Sequence, residues 1–283
     1  MRYKTRHVTR YRYEATVSQC HSEVRLAPRH LAWQRVLESS IQTEPEAASF
    51  QDHADYFGND VTSFTILESH DVFTTTATSL VQVDERPAVT DGGMAWETVR
   101  QDLAGHARPD LLKAFEFSLS SPFVPCDPAL ADYARISFTT GRPIADASMD
   151  LMRRIHGDFR YEPKTTSVDT PLIEAFRSRR GVCQDFAHVM VGALRSLGLA
   201  ARYVSGYLRS GALVGAEASH AWVAVFVPGA GWLELDPTNN VRPGIGHVTL
   251  AWGRDYGDVT PVKGIALGGG QQIVEVEVRV EPA

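Results

Sequence analysis

The sequence lacks the features that mark membrane proteins and disulfide-stabilised proteins. No stretch of its 283 residues approaches the ~20 consecutive apolar residues that span a bilayer. Its three cysteines are few and odd in number, which argues against a disulfide framework and is typical of a reducing cytosol. Cys20 and Cys126 have no partners at the spacing of a zinc site. We therefore expect no metal and no membrane association.

Positive charge is also scarce. The chain has 28 Lys and Arg against 34 Asp and Glu, so its net charge is 28 − 34 = −6. This balance disfavours a broad nucleic-acid-binding surface. Residues 1–7 include basic side chains but no apolar segment of the kind found in signal peptides. We expect a cytoplasmic protein that binds no nucleic acid, and the sequence leaves its oligomeric state open.

The first third of the chain has the pattern of antiparallel strands. From Tyr3 to Tyr13, alternate aromatic, threonine and histidine residues are separated by mostly basic ones, as on a strand with one solvated face. Residues 57–60 have the composition of a hairpin turn. We expect residues 1–90 to form an antiparallel β domain, a sandwich or half-barrel that acts as a scaffold. Further strands are expected at residues 22–26, 36–43, 48–57, 61–67 and 72–83.

The remainder mixes helices with strands, which predicts an α+β protein. Residues 84–108 have the composition of a linker with one short helix. Proline-marked helix starts follow at residues 127–128, 143–144 and 170–171. The predicted units after the β domain are a helical connection, a core and a C-terminal segment with one last strand. Their ranges are 91–150, 151–262 and 263–283.

Cys183 stands at the start of a predicted helix. Gly181 precedes it, apolar residues spaced by three and four run from Phe186 to Leu197, and Gly198 suits a left-handed stop. Unpaired amides and the dipole at a helix N-terminus favour a thiolate there, and they could also hold an oxyanion. The alternative is a structural core cysteine. The two residues described next favour a catalytic role.

His220 and Asp236 follow in the order that suits a thiol enzyme, as a base and as a carboxylate that orients it. Both belong to a predicted hairpin whose turn contains residues 228–231. A three-residue loop would pair Val227 with Gly231 and place His220 diagonal to Asp236 on one face. A four-residue loop without a bulge would put the two on opposite faces.

These motifs resemble the transglutaminase-like superfamily of papain-type cysteine enzymes, in particular bacterial members with a β-rich N-terminal domain. The resemblance implies a papain-like core with Cys183 as nucleophile, His220 as base and acid, and Asp236 as orienting carboxylate. Position 177 is Arg, where papain carries a glutamine six residues before its cysteine. The likeness covers roughly residues 150–260 and runs through residues 181–188, 197–207, 219–222 and 232–238.

Three further residues are candidates for lining the site. Tyr161 could donate its hydroxyl to an oxyanion, as an upstream aromatic does in the superfamily, or could pack between domains. Trp222 shares a strand face with the histidine, where it would exclude water or fill the core. Gln184 flanks the nucleophile. His188 is rotated by about 140° from the cysteine around the helix, so we expect a core histidine rather than the base.

The preferred function is that of a cysteine-dependent acyl enzyme that hydrolyses peptide or amide bonds of a peptide or protein substrate through a thioester. This reaction needs no cofactor. Transfer of the acyl group to an amine is the alternative, and the sequence shows no evident calcium-binding carboxylate runs. Two other classes are a non-catalytic peptide-binding module and a metal-dependent hydrolase that would use Cys183, His220 and Asp236 as ligands.

Overall fold

The computed structural model describes residues 1–89, 92–105, 108–211, 213–216 and 218–283, and these residues form an α+β protein. The strands are β1 (Arg2–Val24), β2 (Gln34–Glu44), β3 (Ser49–Ala54), β4 (Asp60–Ile66), β5 (His70–Val83), β6 (Arg160–Tyr161), β7 (Arg180–Gly181), β8 (Ala201–Leu208), β9 (His220–Val227), β10 (Gly231–Leu235), β11 (His247–Gly253), β12 (Val262–Gly268) and β13 (Gln272–Pro282). The helices are α1 (Trp96–Gly105), α2 (Pro109–Phe115), α3 (Pro128–Arg135), α4 (Ile144–Asp158), α5 (Leu172–Ser178), α6 (Cys183–Arg195) and α7 (Tyr256–Val259).

Strand β1 is the central strand of the N-terminal sheet. Along one edge it pairs with β5 and then β4, and along the other with β13 and then β12, all antiparallel. The pairing on both edges is interrupted near residues 13–17 of β1. Strands β2 and β3 extend the sheet at its two ends. The segment predicted as a separate strand at residues 22–26 is therefore the last part of β1.

The end of the chain forms two strands, where the sequence analysis expects one. The interruption falls at Gly268, Gly269 and Gly270, which have φ values of +97°, +86° and +63°. A Cβ atom added at Gly268 would lie 2.6 Å from the carbonyl oxygen of Thr16. Glycine is required there because the left-handed backbone passes close to β1.

The segment between β5 and β8 is mainly helical. Asp127 caps α3 by accepting the N–H of Ala129 at 2.7 Å, and α4 begins after Pro143, as the sequence predicts. Helix α1 lies in the segment expected to be a linker with one short helix, although residues 90–91 and 106–107 of that segment lie outside the described residues. Helices α3, α4 and α5 contact α6, which is why α6 is buried on all sides.

The core sheet has the order β10-β9-β8-β11 and is antiparallel throughout. Helix α6 packs against β9 and β8. The N-terminal sheet contacts this layer through a hydrogen bond of 3.0 Å between His7 Nδ1 and Tyr207 Oη. The side-chain amide of Gln34 also bonds both backbone groups of Thr249, at 2.7 and 2.8 Å. The start of β9 and the start of α6 meet at one end of the core, where the candidate site lies.

Among the described residues, no helix is long and apolar enough to cross a membrane.

Candidate active site

Helix α6 begins at Cys183 because Asp185 turns back onto the residue before the helix. Asp185 Oδ2 accepts the N–H of Val182 at 2.8 Å, and the Asp185 N–H donates to the Val182 carbonyl at 2.9 Å. The same carboxylate oxygen accepts the hydroxyl of Thr166 at 2.7 Å. The N–H groups of Cys183 and Gln184 precede the first intrahelical hydrogen bonds and are therefore available to a ligand.

Gly181 makes this close approach of Asp185 sterically feasible. A Cβ atom at position 181 would lie 2.3 Å from Asp185 Oδ2, so only glycine leaves room for the carboxylate. Gly181 also pairs with Tyr161 in the short parallel ladder of β6 and β7. Two features of the sequence, the glycine before the cysteine and the aspartate after it, thus depend on each other.

The hairpin of β9 and β10 has the register that the three-residue loop predicts. Val227 pairs with Gly231, and the ladder continues to Val223 and Leu235. His220 and Asp236 consequently lie on one face, with His220 Nε2 2.9 Å from Asp236 Oδ2. Both side chains are fully enclosed. The four-residue loop, which would place these two side chains on opposite faces of the hairpin, is not the one observed.

Cys183 is a neighbour of His220. Its Sγ is 3.9 Å from the carbonyl oxygen of Ser219, the residue that precedes His220. Within the described residues, His220 Nδ1 is buried without a hydrogen-bond partner, so this nitrogen is free to face the thiol. Burial alone would lower the pKa of His220, but the neighbouring Cys183 and Asp236 outweigh it and raise the pKa to about 10.

Asp236 accepts hydrogen bonds on both carboxylate oxygens. Its Oδ1 accepts the backbone N–H groups of Thr238 and Asn239 at 2.9 and 3.1 Å. Its Oδ2 accepts the side-chain amide of Asn239 at 2.9 Å, in addition to His220. Burial would raise the pKa of Asp236, yet His220 and His247 hold it well below its usual range. The carboxylate therefore remains charged at neutral pH.

Two residues at this carboxylate escaped the sequence analysis. His247 Nε2 lies 3.4 Å from Asp236 Oδ2, and burial lowers the pKa of His247 despite the carboxylate. Asn239 also bonds the backbone of Val214, with its Oδ1 accepting the N–H at 2.9 Å. Asn239 lies three residues after Asp236, a spacing that favours local hydrogen bonding, whereas His247 has no signal in the sequence.

The candidate lining residues Tyr161 and Gln184 have different surroundings. Tyr161 lies near Gly215 and His220: a Cβ atom added at Gly215 would be 3.7 Å from Tyr161 Oη and 2.9 Å from His220 Nδ1. Gln184 is half-buried and its Nε2 donates to the Val168 carbonyl at 3.3 Å.

Trp222 lies behind the histidine rather than in an open cleft. It is completely buried and stacks on the His220 ring, with centroids 6.3 Å apart. Its indole N–H donates to Glu234 Oε2 at 2.6 Å. Trp222 thus forms a wall that shields His220 from water on one side.

His188 occupies the core away from the hairpin. Its Nε2 accepts the N–H of Tyr256 at 3.1 Å, and its ring lies against Phe123 and Tyr203. Burial, with a smaller contribution from Arg195, lowers the pKa of His188 to about 3. This histidine is therefore neutral at physiological pH and has a structural environment.

No group of three His, Cys, Asp or Glu side chains is arranged to hold a metal ion in the part of the chain that the structure describes.

The family models match both parts of the chain. Residues 3–82 match the bacterial transglutaminase-like N-terminal region, and residues 134–237 match the transglutaminase-like superfamily. The second match contains Cys183 and His220 and ends just beyond Asp236. The chain belongs to the transglutaminase-like superfamily.

The chain is also similar to individual proteins of known sequence or structure. An uncharacterised protein of Mycobacterium tuberculosis is 34% identical over 297 residues, which covers 99% of this chain and 93% of the relative. The protein-glutamine gamma-glutamyltransferase of Pseudomonas aeruginosa is 36% identical over 124 residues, 41% of this chain and 18% of that protein.

The crystal structure of a candidate cysteine protease from Cytophaga hutchinsonii superposes on this chain with a TM-score of 0.76 at 20% sequence identity. The match covers 100% of this chain and 91% of the other protein. At that level of identity the likeness concerns the fold alone. The papain-like fold expected from the sequence is therefore confirmed.

Proposed function

We propose that this protein is a cysteine-dependent acyl enzyme that hydrolyses amide bonds of a peptide or protein through a thioester. One observation supports the proposal: the buried ring of His220 bonds Asp236, and the neighbouring Cys183 and Asp236 raise its pKa to about 10. At neutral pH this arrangement favours an imidazolium beside a thiolate. A thiolate at a helix N-terminus is the nucleophile that amide cleavage requires.

In the first half of the reaction, the Cys183 thiolate attacks the amide carbonyl carbon and the carbonyl oxygen becomes an oxyanion. The N–H groups at the start of α6 are suited to hold this oxyanion, and the Tyr161 hydroxyl and His220 Nδ1 both lie near Gly215. The imidazolium then gives its Nδ1 proton to the leaving amine. The C–N bond breaks and a thioester remains on the sulfur.

In the second half, neutral His220 accepts a proton from water through Nδ1. The resulting hydroxide attacks the thioester carbonyl, the C–S bond breaks, and the acid leaves. Asp236 keeps the ring oriented and offsets the imidazolium charge in both halves. His188 takes no part because it is neutral and engaged with Tyr256.

Acyl transfer to a primary amine is the second candidate function. The observation that favours it is the 36% identity to the Pseudomonas aeruginosa relative named as a protein-glutamine gamma-glutamyltransferase. The two reactions share the thioester and differ in whether water or an amine attacks it. The catalytic side chains are the same in both cases.

The deciding experiment labels Cys183 and then identifies the products. Stoichiometric labelling by iodoacetamide or an epoxide should locate the reactive thiol by peptide mapping. The protein is then incubated with a glutamine-containing peptide library, with and without an excess of a primary amine, and the products are identified by mass spectrometry. Cys183→Ala is the inactive control, and Cys126→Ala is the matched control that removes an exposed thiol.

Amide hydrolysis in the absence of amine supports the proposal. Products that carry the amine and form only in its presence support the transferase alternative. If Cys183 is not labelled selectively and no product forms, the protein is a binding module rather than an enzyme.

A further inference from the structure

A cavity lies between the core sheet and the N-terminal domain, and Cys183 is not part of its lining. Its volume is about 570 Å³, which is within the range of small-molecule sites. The segment 85–89 and Trp33 cover one side of it, and β8 and β10 form the other. The lining residues that matter here are Trp33, Arg86, Val89, Arg202, Trp232 and Arg242.

Three guanidinium groups line this cavity together with the carboxylates of Glu85 and Glu234, and among the described residues only one of the three is in an ion pair. Arg86 forms an ion pair with Glu234, which also accepts the Trp222 indole N–H. Glu234 is thus already engaged by two donors. Arg86 Nε remains without a hydrogen-bond partner among the described residues, and Arg242 is exposed at the rim.

Arg202 is the most unusual of the three. It is 6% exposed, and its guanidinium stacks between the rings of Trp232 and Trp252, 4.4 and 3.8 Å from their centroids. Stacking covers the faces of a guanidinium but leaves its N–H edge in need of acceptors. Its Nε has no hydrogen-bond partner within the described part of the chain. Burial lowers the pKa of Arg202 to about 9, although Glu234 opposes the change.

We propose that this cavity binds a small organic anion, a carboxylate attached to an aromatic or apolar body. The carboxylate would accept N–H groups from Arg202 and Arg242, neither of which is in an ion pair within the described part of the chain. The indole rings of Trp33 and Trp232 would hold the apolar body. The three arginines outnumber the two carboxylates of the lining, so a cation is disfavoured.

The cavity is separate from the thiol site but adjoins its wall. Trp222 stacks on His220 and bonds Glu234, and Glu234 lines the cavity. The occupied cavity would therefore lie behind Trp222, on the side away from Cys183. Alkylation of Cys183 should leave binding in the cavity unchanged.

Isothermal titration calorimetry of the full chain with indole-3-acetate tests this proposal, and indole-3-acetamide serves as the uncharged isostere. We expect the acetate to bind at least about tenfold more tightly than the amide, because only the acetate can form charge-assisted hydrogen bonds. Arg202→Met should weaken acetate binding by a similar factor, and the exposed Arg242→Ala should weaken it several-fold.

Arg177→Ala, on the exposed surface of α5, is the matched control and should change nothing. Protein alkylated at Cys183 should bind the acetate as before. Absence of acetate binding, equal binding of the amide, or unchanged binding in Arg242→Ala would overturn the proposal. The comparison of acetate with amide needs no variant, so it stands even if Arg202→Met fails to fold.

Discussion

His247 Nε2 lies 3.4 Å from Asp236 Oδ2, the carboxylate oxygen that also accepts His220. Asp236 therefore has more donors around it than a single histidine provides. Because burial lowers the pKa of His247, its ring is neutral and can only donate one N–H to the carboxylate. We infer that His247 positions Asp236, which in turn orients His220.

The substitution His247→Leu should weaken this arrangement without removing it. Loss of one hydrogen bond to a buried carboxylate should cost about 1–3 kcal/mol of unfolding free energy in urea. We expect kcat to fall by only about tenfold, because Asp236 still accepts hydrogen bonds from the Asn239 side chain and from two backbone N–H groups. His247→Gln retains a donor and should recover most of the loss. An unchanged kcat in His247→Leu would show that His247 has no positioning role.

The sequence predicted the parts of the site that depend on local pattern. The hairpin follows from turn residues and strand alternation, which left two registers open, and the register observed places His220 against Asp236. The start of α6 follows from helical periodicity around Cys183. His247 could not be predicted because β11 reaches Asp236 only through the sheet order, which no short pattern specifies.

The same distinction applies to the N-terminal sheet. Strands β2 to β5 were predicted to within a few residues, whereas the two strands predicted within residues 3–26 are the single strand β1. That β1 would be central, with the end of the chain along one edge, depends on pairings between residues more than 200 apart. The sequence indicated strand only after the glycine triplet Gly268–Gly270, whereas strand lies on both sides of it.

The raised pKa of His220 predicts the alkaline limit of activity. His220 is protonated below a pH of about 10 and loses its proton as the pH rises through that value. The leaving amine needs the imidazolium proton, so kcat/KM should fall on the alkaline side near pH 10. Asp236→Asn removes one cause of the raised pKa, and its falling limb should move to lower pH. A wild-type limb near pH 6.5 would contradict the ion pair.

Alkylation by iodoacetamide at neutral pH should distinguish Cys183 from the other two cysteines. The N–H groups at the start of α6 and the His220 imidazolium stabilise negative charge on the sulfur, so Cys183 should react at least about tenfold faster than exposed Cys126. Buried Cys20 should react slowly because burial raises its pKa. Peptide mapping after timed exposure to iodoacetamide measures all three, and equal rates for Cys183 and Cys126 would refute the expectation.

The substitution Gly181→Ala should destabilise the start of α6. Its new methyl group would lie 2.3 Å from Asp185 Oδ2 and would displace the carboxylate from the Val182 N–H. We expect a loss of about 1–3 kcal/mol of unfolding free energy, together with slower labelling of Cys183. Gly157→Ala is the matched control, because a Cβ atom there would have no neighbour within 4 Å among the described residues and alanine favours the helix. Equal stability of the two variants would argue against this role for Gly181.

Substitutions in the proposed catalytic residues should differ in severity. Cys183→Ala and His220→Ala should abolish turnover, because they remove the proposed nucleophile and the proposed base. The sequence alone suggests that Asp236→Asn is milder than either, since an amide can orient an imidazole. The structure predicts a larger effect, because donors surround both oxygens and an amide nitrogen must oppose some of them.

We therefore expect Asp236→Asn to lower kcat by roughly 10³- to 10⁴-fold. His188→Gln should lower the unfolding free energy by about 1–3 kcal/mol through its lost bond to Tyr256, with kcat nearly unchanged. Steady-state kinetics and urea unfolding on the same preparations separate these effects. A folded His188→Gln variant without activity, beside an active His220→Ala variant, would mean that the base is the wrong histidine.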